Sequence, residues 1–205
     1  LDRFKNNKSY SKKKIIELLS IESFVDSALV IYHPSPSILD DDSIVFENIL
    51  KSLKNKKIFS FVSYPNTDSN KSKIINIIEK YKNDKNFYFF KNIDRDIFLS
   101  IFKKSQFIIG NSSAGIYEAA SIPIPAINVG KRQQDRMAGE NVLFCGTSVK
   151  EIMINIDKAT AHIFISSIQN IVNPYGNGES AIKAYKLIKE IDLKSLIQKV
   201  EDPLC

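Results

Sequence analysis

The run Gly110-Asn111-Ser112-Ser113-Ala114-Gly115-Ile116-Tyr117-Glu118 follows the apolar stretch Phe107-Ile108-Ile109 and leads into Ala119-Ala120. A β-branched and aromatic run, then small residues, then alanines reads as strand, tight turn and helix start. Small side chains in such a turn let backbone N–H groups approach a phosphate at the positive end of a helix dipole. Glu118 falls about one helical turn inside the expected N-terminus, within reach of a polar group beside that phosphate. A nucleoside diphosphate has this shape, a pyrophosphate with ribose hydroxyls next to it. Ser112 or Ser113 also reads as a plain helix N-cap, and the two readings are compatible because a capped end still offers unpaired N–H groups. Glu118 likewise reads as a carboxylate that only complements the dipole.

Outward from this turn, apolar runs alternate with stretches of helical period. Strands are expected at Ala28–Tyr32, Ile58–Val62, Phe87–Phe90, Phe107–Ile109, Ala126–Val129 and Val142–Phe144. Helices are expected near Ser43–Lys54, Ser72–Tyr81, Asp96–Lys103, from the Gly110 turn to about Ala120, and at Ser148–Asn155, Ala159–Ile171, Glu179–Glu190 and Leu193–Val200. Ser11–Ser20 reads as a further helix packed outside the sheet. Such alternation implies an α/β fold, a doubly wound parallel sheet covered on both faces.

The distinctive residues cluster after strands rather than before them. His33-Pro34-Ser35-Pro36 follows the first strand and Tyr64-Pro65-Asn66-Thr67-Asp68 the second; the Gly110–Glu118 turn follows the fourth and Gly130-Lys131-Arg132-Gln133 the fifth. In a parallel sheet these loops share one carboxyl edge, where doubly wound folds bind ligands. The connections entering the strands are mostly Lys, Asn and Asp, as solvated turns should be. His33 reads as a donor to a phosphate or leaving group, or as a strand-end histidine capped by a neighbouring carbonyl. His162, inside an apolar helical stretch, reads as structural. Asn66, Thr67 and Asp68 read as ligand contacts or as an Asx-turn.

Composition bounds the class. The chain has 205 residues, 43% hydrophobic and 25% charged, the profile of one ordinary globular domain. Its net charge is +6, carried by 25 lysines and only 4 arginines. Dispersed lysine reads as a solvated surface, and clustered Arg with interleaved aromatics, the mark of nucleic-acid binding, is missing. Two of the arginines nevertheless sit four apart in Arg132-Gln133-Gln134-Asp135-Arg136. Cys145 and Cys205 form neither a disulfide framework nor a metal cluster. No apolar stretch approaches bilayer-spanning length, and residues 1–5 carry no signal-peptide core. A cytoplasmic setting is the expectation.

Together, Tyr32-His33-Pro34, Pro65-Asn66-Thr67-Asp68, Gly110–Glu118, Gly130-Lys131-Arg132-Gln133-Gln134-Asp135-Arg136 and Asn173-Pro174-Tyr175-Gly176-Asn177-Gly178 resemble the UDP-N-acetylglucosamine 2-epimerases, in that family's order, over residues 10–190. The Gly-x-Arg-Gln-x-x-Arg block is similar to the hydrolysing branch, which supplies N-acetylmannosamine-type sugars for sialic-acid-type synthesis. The resemblance implies the C-terminal, UDP-binding Rossmann-like half of a glycosyltransferase-B-type fold. A missing N-terminal domain would face it across a cleft and carry the acidic residues that work on the sugar. Alone, this half would bind a UDP-sugar without turnover; the full-length protein would be a homo-oligomer, with no metal, no cofactor, no nucleic acid and no membrane involved.

By the same resemblance, His33 stabilises the departing pyrophosphate. Ser112, Ser113 and Gly115 form the phosphate-binding turn, Glu118 holds the ribose hydroxyls, and Phe98, or Leu99 beside it, lies near the uracil. Arg132 and Arg136 belong to the branch-specific loop, with phosphate or sugar contact. Three positions depart from the family pattern: Ala114 for Ser or Gly, Asp135 for a common Gly, and Asn177 for the Asp of the Asn-Pro-Tyr-Gly-Asp-Gly turn. Another glycosyltransferase-B-fold UDP-sugar enzyme and a non-catalytic nucleotide-sugar-binding module are the alternatives.

Overall fold

The computed structural model describes Leu1 and residues 8–34, 41–66 and 71–192. The chain runs α1 (Lys12–Leu19), β1 (Ser27–Ile31), α2 (Asp42–Asn55), β2 (Phe59–Ser63), α3 (Lys71–Tyr81), β3 (Phe87–Phe90), α4 (Arg95–Lys104) and β4 (Phe107–Gly110). It continues through α5 (Ala114–Tyr117), a 3₁₀ turn (Ala119–Ser121), β5 (Ala126–Val129), β6 (Val142–Cys145), α6 (Val149–Thr160), α7 (His162–Ser167) and α8 (Ser180–Glu190). All six expected strands form, each within a residue of its predicted bounds. They make one sheet in the order β3-β2-β1-β4-β5-β6, parallel throughout, the doubly wound Rossmann-like topology.

Strand side chains alternate between two cores, which is why the strands read as unbroken apolar runs. Ala28, Val30, Phe107, Ile109, Ile127 and Val129 face one way, joining Phe46, Ile49, Leu50 and Leu53 of α2, Ile74 and Ile78 of α3, and Ile152 and Ile156 of α6. Leu29, Ile31, Phe61, Ile108 and Ala126 face the other, against Ile15 of α1 and Leu99, Ile101 and Phe102 of α4. Burying one such side chain contributes about 2 kcal/mol, so the two layers are the main source of stability. Caps fix where helices begin. Asp94 accepts from the Asp96 and Ile97 amides, and Ser148 and Glu151 form a reciprocal capping box.

Three expectations change. The helix expected from the Gly110 turn to Ala120 is a single α-turn, followed by a 3₁₀ turn. Pro123 disfavours helical backbone at Ile122, and Pro125 leads directly into β5, so the chain must leave the helix early. The helices expected at Ser148–Asn155 and Ala159–Ile171 are instead α6, which runs on to Thr160, and the shorter α7, because the backbone extends at Ala161. His162 consequently starts α7 on the exposed surface rather than inside an apolar stretch. The helix expected at Leu193–Val200 lies outside the described residues, as do Ser35, Pro36, Thr67 and Asp68.

Candidate functional site at the carboxyl edge of the sheet

The loops after β1, β4 and β5 meet at one edge because β4 lies between β1 and β5. Gly110 sets the shape of their centre. Its φ is +139°, and a Cβ there would stand 2.1 Å from the Ile31 carbonyl oxygen. Only glycine fits, for reasons of both backbone conformation and space. That same carbonyl accepts the Asn111 N–H at 3.2 Å, which ends β4 against β1.

Asn111 is 2% exposed and joins three loops. Its Oδ1 accepts the His33 N–H and its Nδ2 donates to the His33 carbonyl, each at 2.8 Å. Its own carbonyl accepts from Arg132 Nη1 and from Gln133 Nε2, each at 3.0 Å. Gln133 is itself buried, whereas Arg132 keeps an exposed surface. A buried amide with such partners resists being broken apart, since unpaired polar groups in the interior are costly.

His33 is half-buried. Its Nδ1 accepts the Asn66 N–H at 3.4 Å, which leaves Nε2 as the ring nitrogen that carries a proton. A histidine so oriented can donate from Nε2. Beyond Asn111 the turn leaves the Ser112 and Ser113 amides without a protein acceptor among the described residues. The Ala114 N–H bonds the Ser112 hydroxyl at 3.3 Å, so Ser112 is a local cap, while Ser113 makes no side-chain cap. Gly115 sits behind the turn. Its N–H donates to the Ser112 carbonyl at 3.2 Å, and a Cβ there would make ordinary contact with Ala126 at 3.5 Å. The cavity under the turn is about 10 Å³, room for at most one water, so a larger ligand cannot sit beneath the turn.

With α5 only one turn long, the macrodipole at the Ser112-Ser113 turn is small, and the two amides themselves carry its positive character. Glu118 stands at the C-terminal end of that turn, not within a longer helix. Burial pushes its carboxyl above the usual range, and the Arg95 guanidinium at the start of α4 only partly offsets this.

Of the pair Phe98 and Leu99, only Phe98 has surface to offer. Leu99 is 0% exposed in the second core, while half-buried Phe98 packs edge-on against Phe90 and tilts against Phe102. Arg136 does not pair with Asp135 in this structure. Its Nη1 donates to the Tyr117 hydroxyl at 2.9 Å, with the guanidinium 5.4 Å from that ring's centre. Tyr117 also meets Tyr175 edge-on at 4.3 Å, and its carbonyl accepts from Asn173 Nδ2 at 2.8 Å. The Asn-Pro-Tyr turn is thereby fastened to the segment bearing Glu118.

His33, the two serines and Arg132 thus lie on the loops at this one edge, with Glu118 at the C-terminal end of α5 and Phe98 inside the first turn of α4. The sequence signalled Asn111, Gln133 and Tyr117 only as members of blocks; their roles depend on partners distant in the chain. Among the described residues no group of three His, Cys, Asp or Glu side chains could hold a metal, and no helix is long and apolar enough to cross a membrane.

Known proteins share these features. The hydrolysing UDP-N,N'-diacetylbacillosamine 2-epimerase of Legionella pneumophila is 30% identical over 169 residues, covering 82% of this chain and 44% of its own. A structure of S. aureus MnaA with UDP superposes with a TM-score of 0.68 at 18% identity, covering 96% of this chain and 51% of that one. The Neisseria meningitidis UDP-GlcNAc 2-epimerase bound to UDP-GlcNAc does so with a TM-score of 0.62 at 18% identity, covering 87% and 48%. The chain therefore spans about half the length of these relatives, and the two structures establish the fold. The sequence profile of the UDP-N-acetylglucosamine 2-epimerase family matches residues 1–189, nearly the whole chain and every block gathered at the sheet edge, so the chain belongs to that family.

Proposed function

We propose that this chain is the UDP-binding half of a hydrolysing UDP-N-acetylglucosamine 2-epimerase, acting on UDP-N-acetylglucosamine or a 2,4-diacetamido relative. The observation behind this is the pair of Ser112 and Ser113 amides, which have no protein acceptor among the described residues, beside a histidine whose backbone is held by Asn111. The diphosphate rests on those amides, with His33 Nε2 donating to the oxygen that becomes the leaving group's new charge. Gly115 keeps the turn closed from behind. The Glu118 carboxylate accepts from the ribose hydroxyls, and the exposed part of Phe98 borders the uracil.

In the reaction a base removes the proton from C2 of the sugar, the C1–O bond to UDP breaks, and the electron pair forms the C1=C2 bond of a 2-acetamidoglucal. Water then adds its hydroxyl to C1 and a proton to C2 from the opposite face, giving the epimeric free sugar and UDP. Charge accumulates on the departing diphosphate, and fixed donors aimed at it lower the barrier, often by several kcal/mol. Proton transfer at C2 needs a positioned base. We place that base on the facing half of the cleft, so this chain alone binds without turnover.

Calorimetric competition among UDP, UDP-N-acetylglucosamine, ADP and GDP tests the reading. Uridine nucleotides are expected to bind and the purine nucleotides to bind at least ten-fold more weakly. Equal affinity for all four would remove the uridine assignment.

A further inference from the structure

We propose that Gln133 and Arg132 act on the bound diphosphate indirectly, by holding the Asn111 carbonyl and so aiming the Ser112 N–H at the ligand. The inference rests on the proposed UDP site and assigns positioning roles within it. A peptide unit is planar and trans, so its carbonyl and N–H point in opposite directions. The Asn111–Ser112 peptide has its carbonyl gripped by Arg132 Nη1 and Gln133 Nε2, both at 3.0 Å, from the loop after β5. Its N–H therefore points away from that loop. In the strand order β1 lies on the other side of β4, so this direction is the one on which His33 stands.

Two donors on one carbonyl, one of them a guanidinium, also polarise the peptide and make its N–H a stronger donor. Gln133 shows what it is kept for. It is 2% exposed, its Nε2 bonds the Asn111 carbonyl, and its Oε1 has no hydrogen-bond partner among the described residues. Burying an unpaired acceptor is costly, and the single bond this amide makes is to the peptide that precedes the cradle. Arg132 is then a positioning residue whose charge reaches the ligand through a backbone amide.

The test is amide NMR and calorimetry on the whole chain, wild type against Gln133→Met and Arg132→Met, with UDP and uridine as the probes. Methionine keeps the approximate length of either side chain and removes its donors. In the absence of ligand, both variants should move the Asn111 carbonyl-carbon and Ser112 amide-nitrogen resonances. Each should weaken UDP about three- to ten-fold, the loss of one hydrogen bond's net effect, while uridine affinity stays within two-fold. Gln133→Glu serves if the methionine variant does not fold, and is expected to weaken UDP at least as much. Wild-type UDP binding retained in Gln133→Met with an unmoved Ser112 amide overturns the indirect role and leaves the UDP reading standing. A wild type whose Ser112 and Ser113 amides do not respond to saturating UDP overturns both.

Discussion

Asn111 and His33 exchange two hydrogen bonds, amide oxygen to backbone N–H and amide nitrogen to backbone carbonyl, each 2.8 Å long and 78 positions apart in the chain. A side-chain amide here completes what a neighbouring strand would otherwise supply just beyond the ends of β1 and β4. The sheet edge becomes rigid at the point where an anion would sit. Asn111→Ala should cost about 2–3 kcal/mol in urea unfolding, because the His33 N–H and carbonyl lose their side-chain partner together while the main-chain carbonyl that accepts from Arg132 and Gln133 remains. Asn111→Asp keeps the bond from the His33 N–H but sets a carboxylate against the His33 carbonyl, and is expected to be destabilised as well.

Gly110 and Gly115 make a contrast. Gly110→Ala drives a Cβ to 2.1 Å from the Ile31 oxygen in a left-handed backbone, and neither group can yield. A loss of about 3 kcal/mol or more is expected in the same unfolding assay. Gly115→Ala meets Ala126 at an ordinary 3.5 Å and should change stability by less than about 1 kcal/mol, with UDP affinity within about two-fold. A large effect at Gly115 would mean that the ligand lies against its α-carbon.

Glu118 carries a pH signature. Burial raises its carboxyl in the folded state, so the folded chain holds that proton to higher pH than the unfolded chain. Stability from this group is present below the unfolded pKa and is lost as pH rises through the folded one. Glu118→Gln should therefore be at least as stable as wild type at pH 7. It should also bind UDP more weakly by about 1–3 kcal/mol, as loss of a charged acceptor does. Because ribose hydroxyls donate to the ionised form, the wild-type advantage over Glu118→Gln should grow as pH rises through that titration. Calorimetry of the two proteins between pH 4.5 and 7.5 gives the comparison, and a constant difference would remove Glu118 from the site.

Cys145, at the end of β6, is pushed up to about 12 by burial, with the Glu151 carboxylate adding to the shift. Its thiolate is scarce at pH 8, so the folded chain should alkylate there far more slowly than after denaturation. A Cys205→Ser background isolates the signal in a maleimide time course.

The strands were legible because both faces of the sheet are buried, which leaves runs such as Phe107-Ile108-Ile109 with no polar break. The gathering of the loops at the carboxyl edge was legible for a related reason, since each of their distinctive blocks follows a strand and the strands are parallel. The short α5 was not, because the alanines after Glu118 favour helix and only Pro123 and Pro125 argue against it. Nor does any Gly or Pro mark the break at Ala161 between α6 and α7. The work of Asn111 and Gln133 was invisible for a deeper reason. A buried bridging amide and a solvated turn amide share one letter, and tertiary pairing alone separates them.

The most direct measurement is a crystal structure of the whole chain with UDP at saturating concentration. Diphosphate oxygens are expected about 3 Å from the Ser112 and Ser113 nitrogens, with His33 Nε2 beside them and the ribose hydroxyls on Glu118. UDP bound elsewhere on the molecule, or a bare sheet edge at that concentration, would contradict it.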